Sequence, residues 1–177
     1  MKMAFKIVLL GYMGSGKTTV GKELAKTLSV KFVDLDKEIE RLENKSIPQI
    51  FKDHGDIYFR KKEKSALEDV LNSKNNMVLS LGGGTPCYYD SMNYLNNKDE
   101  VHSIYLDVST ANLVKRLGSE KSRRPMLSGI NTEQELQHFL GKHLFERRPY
   151  YQQAKQTLKV GEESVEEQVN KIVALLF

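Results

Sequence analysis

The feature of this sequence that most restricts its fold is the segment 11–18, which reads Gly-Tyr-Met-Gly-Ser-Gly-Lys-Thr. It matches the phosphate-binding loop pattern G-x-x-x-x-G-K-[ST] at every fixed position. An apolar run at 5–10 precedes it, and a segment with helical periodicity at 16–28 follows it. In this setting, glycines let backbone N–H groups surround an anion, and the helix N-terminus adds a favourable dipole. The sequence therefore predicts a phosphate site at the end of the first strand.

Short apolar runs alternate with helical segments along the rest of the chain. Strands are predicted at 5–10, 31–35, 77–81, 102–108 and 157–160, and helices near 16–28, 55–73, 110–117, 132–148 and 163–176. Such alternation is typical of a mainly parallel sheet with helices on both faces, whose ligands collect at the carboxyl ends of the strands. With no repeat or linker, residues 1–177 are expected to form a single α/β domain.

The composition excludes several function classes. A net charge of +4 suits an anionic ligand but is too small for a dedicated nucleic-acid-binding protein. No stretch is long and apolar enough to span a bilayer, and the single cysteine, Cys87, cannot form an intramolecular disulfide. We therefore expect a cytoplasmic protein without nucleic-acid or membrane partners. In the absence of a heptad pattern or apolar patch, a monomer is the default expectation.

Two residues of the loop are expected to act on the phosphates and their metal. Lys17 is expected to reach the terminal phosphates, and the Thr18 hydroxyl is expected to bind Mg²⁺. Both roles follow from the positions that these residues occupy in the phosphate-loop pattern.

Two carboxylates follow the second predicted strand, in the order Asp34-Leu35-Asp36. Residues two apart in an extended chain face the same way, so both side chains are expected to point into the crevice beside the loop. One carboxylate could organise Mg²⁺ and its waters while the other accepts a proton from an attacking hydroxyl. Alternatively, Asp36 caps a helix over 37–44. The residues themselves leave both interpretations open.

Three glycines, Gly82, Gly83 and Gly84, follow the third predicted strand. Glycine permits a close approach of the backbone to a ligand, although a tight turn would also account for the run. The strand ends without the acidic residue found there in many NTPases. This absence disfavours a motor or switch protein and leaves Asp34 as the nearest candidate to serve the metal.

Two arginines occupy the apolar faces of predicted helices. At about 100° per residue, Arg60 and Glu63 share the apolar arc of the second predicted helix. Arg147 continues the leucine stripe of the fourth, whereas Arg148 points off its edge. An inward arginine needs an anionic partner. That partner is either a carboxylate of the protein, such as Glu63 for Arg60, or a bound carboxylate, which a guanidinium matches with two hydrogen bonds.

The polar segment 118–130 separates two predicted helices and contains Arg124-Pro125. It could be an ordinary surface loop. Its arginines and flanking glycines also suit a mobile lid that closes over phosphates.

Taken in order, these motifs resemble the shikimate kinase family. The motifs are the phosphate loop, Phe32-x-Asp34-x-Asp36, Phe59-Arg60, the three glycines, Arg124-Pro125 and Arg147. The resemblance covers nearly the whole chain and implies a P-loop NTPase fold similar to nucleoside monophosphate kinases. That fold is a five-stranded parallel sheet, ordered 2-3-1-4-5, flanked by helices, with a lid near 118–130. The implied reaction is Mg²⁺-dependent transfer of the ATP γ-phosphoryl group to the 3-hydroxyl of shikimate, in the pathway to chorismate and the aromatic amino acids.

The resemblance also implies a role for each matching residue. The phosphates would be held by the loop amides and by an arginine of the lid: Gly14, Ser15, Gly16, Lys17, Thr18, Thr19 and Arg124. Mg²⁺ would be served by Thr18 and, through water, by Asp34. The acceptor would be held by Asp36, Arg60, Gly83 and Arg147, and the catalytic residues would be Lys17 and Asp36. The chain has Gly55-Asp56 where the family often has Gly-Glu, a departure that touches no proposed contact.

Two rival functions are compatible with the phosphate loop alone. The first is a kinase for another small acceptor, such as gluconate or a nucleoside monophosphate. The paired aspartates and inward arginines favour a hydroxylated carboxylate over a second nucleotide. The second is a GTP-dependent switch or a non-catalytic nucleotide-binding module, which would usually carry an Asn-Lys-x-Asp signature that this chain lacks.

Overall fold

The computed structural model of the protein describes residues 5–120 and 125–177. Five parallel strands form one sheet in the order β2-β3-β1-β4-β5. The strands are β1 (Lys6–Leu10), β2 (Lys31–Asp34), β3 (Met77–Ser80), β4 (Val101–Val108) and β5 (Gln156–Val160). The central strands β1 and β3 are buried at every residue, as expected where helices cover both faces of a parallel sheet. The predicted α/β fold and strand order are confirmed.

Seven α-helices connect and flank the strands in the described part of the chain. They are α1 (Lys17–Thr27), α2 (Leu35–Glu43), α3 (Ile47–Asn72), α4 (Ser91–Asn96), α5 (Thr110–Gly118), α6 (Glu133–Tyr151) and α7 (Val165–Leu176). All five predicted helices are present. Two helices were not among the predictions: α2, which corresponds to the helix over 37–44 considered only as an alternative, and α4, whose six residues are too few to show a helical period.

The predicted helix at 55–73 is the second part of a longer element. Helix α3 begins at Ile47, after the N-cap Ser46, and is interrupted at Gly55, whose backbone has φ 79° and ψ 179°. A side chain is rarely compatible with this conformation, so glycine is required here. The kink separates the first two turns of α3 from the segment that carries Arg60, and this second segment contacts α2 through Tyr58 and Lys62, which both bind Glu43.

The strand ends and the helix packing together define where a ligand can bind. The carboxyl ends of β1, β2 and β3 lie side by side, because these strands are adjacent and parallel. Helices α2 and α3 pack together at one flank of this edge, and α5 and α6 pack together at the other. Among the described helices, none has the length and apolar content needed to cross a membrane.

Candidate active site

The phosphate loop joins β1 to α1 in the predicted way. Gly16 is the N-cap of α1 with φ 94° and ψ 9°, a left-handed conformation that glycine adopts without strain. The Lys17 ammonium donates hydrogen bonds to the carbonyl oxygens of Gly11 at 2.8 Å and Tyr12 at 2.9 Å. One amide supports the loop itself, since the Ser15 N–H donates to the Tyr12 carbonyl oxygen at 3.2 Å.

The Thr18 hydroxyl and the Asp34 carboxylate lie next to each other. Thr18 Oγ1 donates to Asp34 Oδ2 at 3.1 Å. Asp34 also caps α2, because its Oδ1 accepts a hydrogen bond from the Lys37 N–H at 3.3 Å. The alternative in which Asp36 caps this helix is therefore wrong. The extended geometry assumed for 34–36 is also wrong, because β2 ends at Asp34 and Asp36 lies in the first turn of α2.

The two carboxylates nevertheless meet in one cleft beside the phosphate loop. The cleft has a volume of about 290 Å³. It is lined by loop, strand-end and glycine-run residues: Met13, Gly14, Gly16, Lys17, Thr18, Thr19, Asp34, Asp36, Ser80, Leu81, Gly82, Gly83 and Glu120. The turn from β2 into α2, rather than strand alternation, brings the carboxylates to the same side.

The Asp36 carboxyl lies in a strongly perturbing environment. Burial is the main cause that raises its pKa from 3.8 to about 6, and the charges of Asp34 and Glu63 act in the same direction. The Lys17 ammonium opposes these effects. A carboxyl group with such a pKa is ionised near neutral pH and is a better proton acceptor than an ordinary aspartate.

Arg60 faces inward, and its protein partner is the carboxylate that the sequence suggested. Its Nη1 donates to Glu63 Oε2 at 2.7 Å, and its side chain is only 12% exposed. The guanidinium also stacks over the Tyr88 ring at 4.1 Å from the ring centre. Buried Glu63 accepts a second hydrogen bond, from Thr85 Oγ1 at 2.6 Å. Glu63 therefore orients Arg60 through Nη1, and this bond does not involve Nη2.

Arg147 approaches the same region from α6. Its guanidinium carbon lies 5.7 Å from the centre of the Tyr12 ring. Its Nη1 lies 3.8 Å from the position that a Cβ atom would take on Gly83. Burial raises the pKa of the Cys87 thiol, while the charges of Arg147 and Arg60 lower it. Arg147 thus lies beside Gly83 and Arg60 beside Gly84, so the two guanidinium groups adjoin successive residues of the glycine run.

Arg148 lies next to a residue of β4, and it is not simply a solvated side chain. It is 40% exposed, and its Nη2 lies 4.0 Å from Asp107 Oδ1 on β4. Its Nε atom is buried. Arg148 therefore contributes to packing between α6 and β4, and we expect its role to be structural.

Two further arginines belong to the part of the site that is expected to bind the nucleotide. Arg124 lies outside the described residues, as does most of the arginine-containing part of the predicted lid. Arg116, which no sequence pattern singled out, donates to the carbonyl oxygens of Gly14 at 3.2 Å and Gly161 at 3.3 Å. It thus links α5 to the phosphate loop and to the loop after β5. No local pattern distinguishes it from the neighbouring Lys115, since both are basic residues in the last turn of α5.

Known proteins show the same fold with similar sequences. A sequence model of the shikimate kinase family matches residues 13–177. A shikimate kinase of Flavobacterium psychrophilum is 45% identical over 172 residues, which cover 97% of this chain and 99% of that protein. The structure of shikimate kinase from Bacteroides thetaiotaomicron superposes with a TM-score of 0.88 at 36% identity, covering 97% of this chain and 98% of its own. The shikimate kinase of Acinetobacter baumannii, solved in complex with shikimate, has a TM-score of 0.83 at 33% identity and covers 98% of this chain and 93% of its own. The chain therefore belongs to the shikimate kinase family.

Proposed function

We propose that this protein transfers the γ-phosphoryl group of ATP to the 3-hydroxyl of shikimate, giving shikimate 3-phosphate and ADP. The observation that carries the proposal is the common cleft of the phosphate loop and Asp36, with Arg147 and Arg60 beside the successive glycines Gly83 and Gly84. This arrangement provides a triphosphate site and a proton acceptor in one cleft, with a carboxylate site next to the glycine run that lines it. Shikimate carries both the hydroxyl and the carboxylate that such a site would bind.

The nucleotide phosphates are bound by the phosphate loop. The backbone amides of 14–19 and the N-terminus of α1 supply positive potential, and the Lys17 ammonium stabilises charge on the transferring group. Arg116 stands at the border of this region, in contact with Gly14. Arg124 would add a second guanidinium when the lid closes.

The residues present fit a magnesium ion carried by the nucleotide. Thr18 Oγ1 and Asp34 Oδ2 lie 3.1 Å apart and are hard oxygen donors, the kind that Mg²⁺ prefers. Thr18 would bind the ion directly and Asp34 through water. Across the described ranges, no cluster of three or more His, Cys, Asp or Glu side chains could hold a metal alone, which agrees with an ion held largely by phosphates and water. When bound, the ion neutralises phosphate charge.

Asp36 accepts the proton of the acceptor hydroxyl. As the hydroxyl oxygen bonds to the γ-phosphorus, the bond from that phosphorus to the β–γ bridging oxygen breaks, and ADP leaves with that electron pair. The hydroxyl proton passes to the Asp36 carboxylate. A pKa of about 6 leaves Asp36 mostly ionised at pH 7 while keeping it basic enough for this transfer.

The acceptor carboxylate is bound by Arg60 and Arg147. The two guanidinium groups come from α3 and α6, so they can hold the carboxylate from two sides. Gly83 lies between Arg147 and the phosphate loop and offers a flat backbone surface to the ring. The two arginines thus hold the acceptor by its carboxylate, at the end opposite to the hydroxyl that reacts.

The proposal is tested by measuring ADP release with shikimate, gluconate and AMP as acceptors in turn. We expect turnover with shikimate in the presence of Mg²⁺, little with the other two, and loss of turnover when Mg²⁺ is chelated. Phosphorus NMR of the product checks the position of the phosphate, and a reaction without acceptor controls for ATP hydrolysis. A kcat/KM on gluconate equal to or above that on shikimate would refute the acceptor assignment.

A further inference from the structure

A Cβ atom placed on each of the three successive glycines would meet a different part of the site. At Gly82 it would lie 2.9 Å from Asp36 Oδ1. At Gly83 its nearest neighbour would be the backbone nitrogen of Met13 at 3.5 Å. At Gly84 it would lie 2.8 and 2.9 Å from the two Nη atoms of Arg60. Two of the three glycines thus adjoin functional side chains more closely than a methyl group allows.

The backbone at Gly84 does not itself require glycine. Its φ of −91° and ψ of −20° belong to the right-handed helical region, which any L-residue adopts. The three atoms nearest to its missing Cβ all belong to the Arg60 guanidinium, at 2.8 to 3.2 Å, below the roughly 3.5 Å of an ordinary carbon contact. What this position requires is the lack of a side chain, and the reason is Arg60.

Three other side chains fix the position of the Arg60 guanidinium. Glu63 holds Nη1 at 2.7 Å, and the Tyr88 ring covers one face at 4.1 Å. Asp56 lies 3.4 Å from Nε. A methyl group on residue 84 would therefore displace the guanidinium from these three contacts, since the side chain of Arg60 can move more readily than the backbone.

We propose that Gly84 is a positioning residue for acceptor binding, because its lack of a side chain lets both Nη atoms of Arg60 lie where they reach the acceptor carboxylate. This inference rests on the proposed function, in which Arg60 binds that carboxylate. Gly84→Ala should raise the KM for shikimate roughly 10- to 100-fold, the value of one hydrogen bond between charged groups. It should change kcat by less than the KM, since Asp36 and the phosphate loop are untouched.

The test is a double-mutant cycle between positions 84 and 60. Gly84→Ala is measured in the wild-type background and in Arg60→Ala, where no guanidinium remains to be displaced. The effect on KM should disappear in the second background, to within about twofold. Gly141→Ala is the matched control, because Gly141 lies in α6 and a Cβ there would meet nothing within 4 Å. That control should leave KM and kcat unchanged.

Melting temperatures of the same variants test the inference without any substrate. If Gly84→Ala lowers the melting temperature or fails to fold, Arg60→Ala/Gly84→Ala should be as stable as Arg60→Ala alone. If Gly84→Ala raises KM, or lowers the melting temperature, by the same amount in both backgrounds, the methyl group acts on the backbone and the inference is overturned. A KM for Gly84→Ala equal to that of the wild type would also overturn it.

The cycle separates this inference from the proposed function. If the wild-type protein does not phosphorylate shikimate, the proposed function fails, and the coupling in melting temperature still decides whether Gly84 positions Arg60. If the wild type phosphorylates shikimate and no coupling appears, only the role of Gly84 is wrong.

Discussion

The substitution Asp36→Asn tests whether the proposed proton acceptor costs the protein stability. The pKa of Asp36 is raised to about 6, against an ordinary 3.8, mainly by burial and further by Asp34 and Glu63. A difference of about 2 units corresponds to roughly 3 kcal/mol in the free energy of unfolding. Because the folded pKa lies above the unfolded one, the protonated carboxyl stabilises the fold relative to the ionised one. This stabilisation is complete below about pH 4 and is lost as the pH rises through about 6. At neutral pH the ionised carboxylate therefore destabilises the fold.

Asparagine has almost the same shape and carries no charge. We expect Asp36→Asn to raise the free energy of unfolding at pH 7.5 by about 1–3 kcal/mol, the lower bound allowing for relaxation around the charge and its favourable place in the first turn of α2. This corresponds to an increase of about 2–12 °C in melting temperature. At pH 4 the difference should vanish. The same change should lower kcat by roughly 10²–10⁴-fold while nucleotide binding is retained.

The assay is urea denaturation of both proteins from pH 4 to pH 8, together with steady-state kinetics. Asp69→Asn serves as the control, since Asp69 is an exposed carboxylate on α3 and should show neither effect. Near-normal turnover in Asp36→Asn would refute the proton-acceptor role. Equal stability of the two proteins at pH 7.5 would show instead that the carboxylate is well solvated and that the argument from burial is wrong.

Substitutions at four further residues separate the parts of the site. Lys17→Ala should impair transfer with every acceptor, because it removes charge stabilisation at the phosphates, and retained kcat would contradict this. Arg147→Lys should raise the KM for shikimate and Arg147→Ala should raise it further, by about one to two decades, since lysine keeps the charge but loses the two-pronged geometry. Arg148→Ala should lower the melting temperature, because it removes the contact with Asp107, and should leave KM nearly unchanged. A large rise in KM for Arg148→Ala with none for Arg147→Ala would refute the roles assigned to these two arginines. Arg124→Ala should lower kcat or weaken ATP binding, and calorimetry that showed lost shikimate binding instead would contradict a role in the lid.

Much of the fold and part of the candidate site could be predicted because the signals are local. The phosphate loop depends on residues within 11–18 and on the strand and helix that adjoin them, so its pattern and setting can be found in the sequence. The alternation of apolar runs with helical periods indicated the parallel sheet for the same reason. The strand order did not follow from these patterns. It came from the resemblance of the ordered motifs to a family, and the structure confirmed it.

Helical phase predicted which way each arginine points but not what it meets. Arg60 was placed on an apolar arc together with Glu63, and the two are hydrogen-bonded. Arg148 was placed off the edge of its helix, but the neighbour that it finds there, Asp107, belongs to β4. A periodic pattern describes one element at a time. It therefore contains no information on the surface that packs against that element.

The sequence by itself thus determined the chemistry that is available, whereas the tertiary structure decided how the groups are arranged. Residues 11–18 and the Asp34/Asp36 pair could be read as a phosphate site and two carboxylates from neighbouring residues alone. The raised pKa of Asp36 and the close approach of Gly84 to Arg60 arise only when α2, α3 and the glycine run are packed together. Burial and contact distances depend on residues far apart in the chain, and a one-dimensional pattern cannot state which of them will meet.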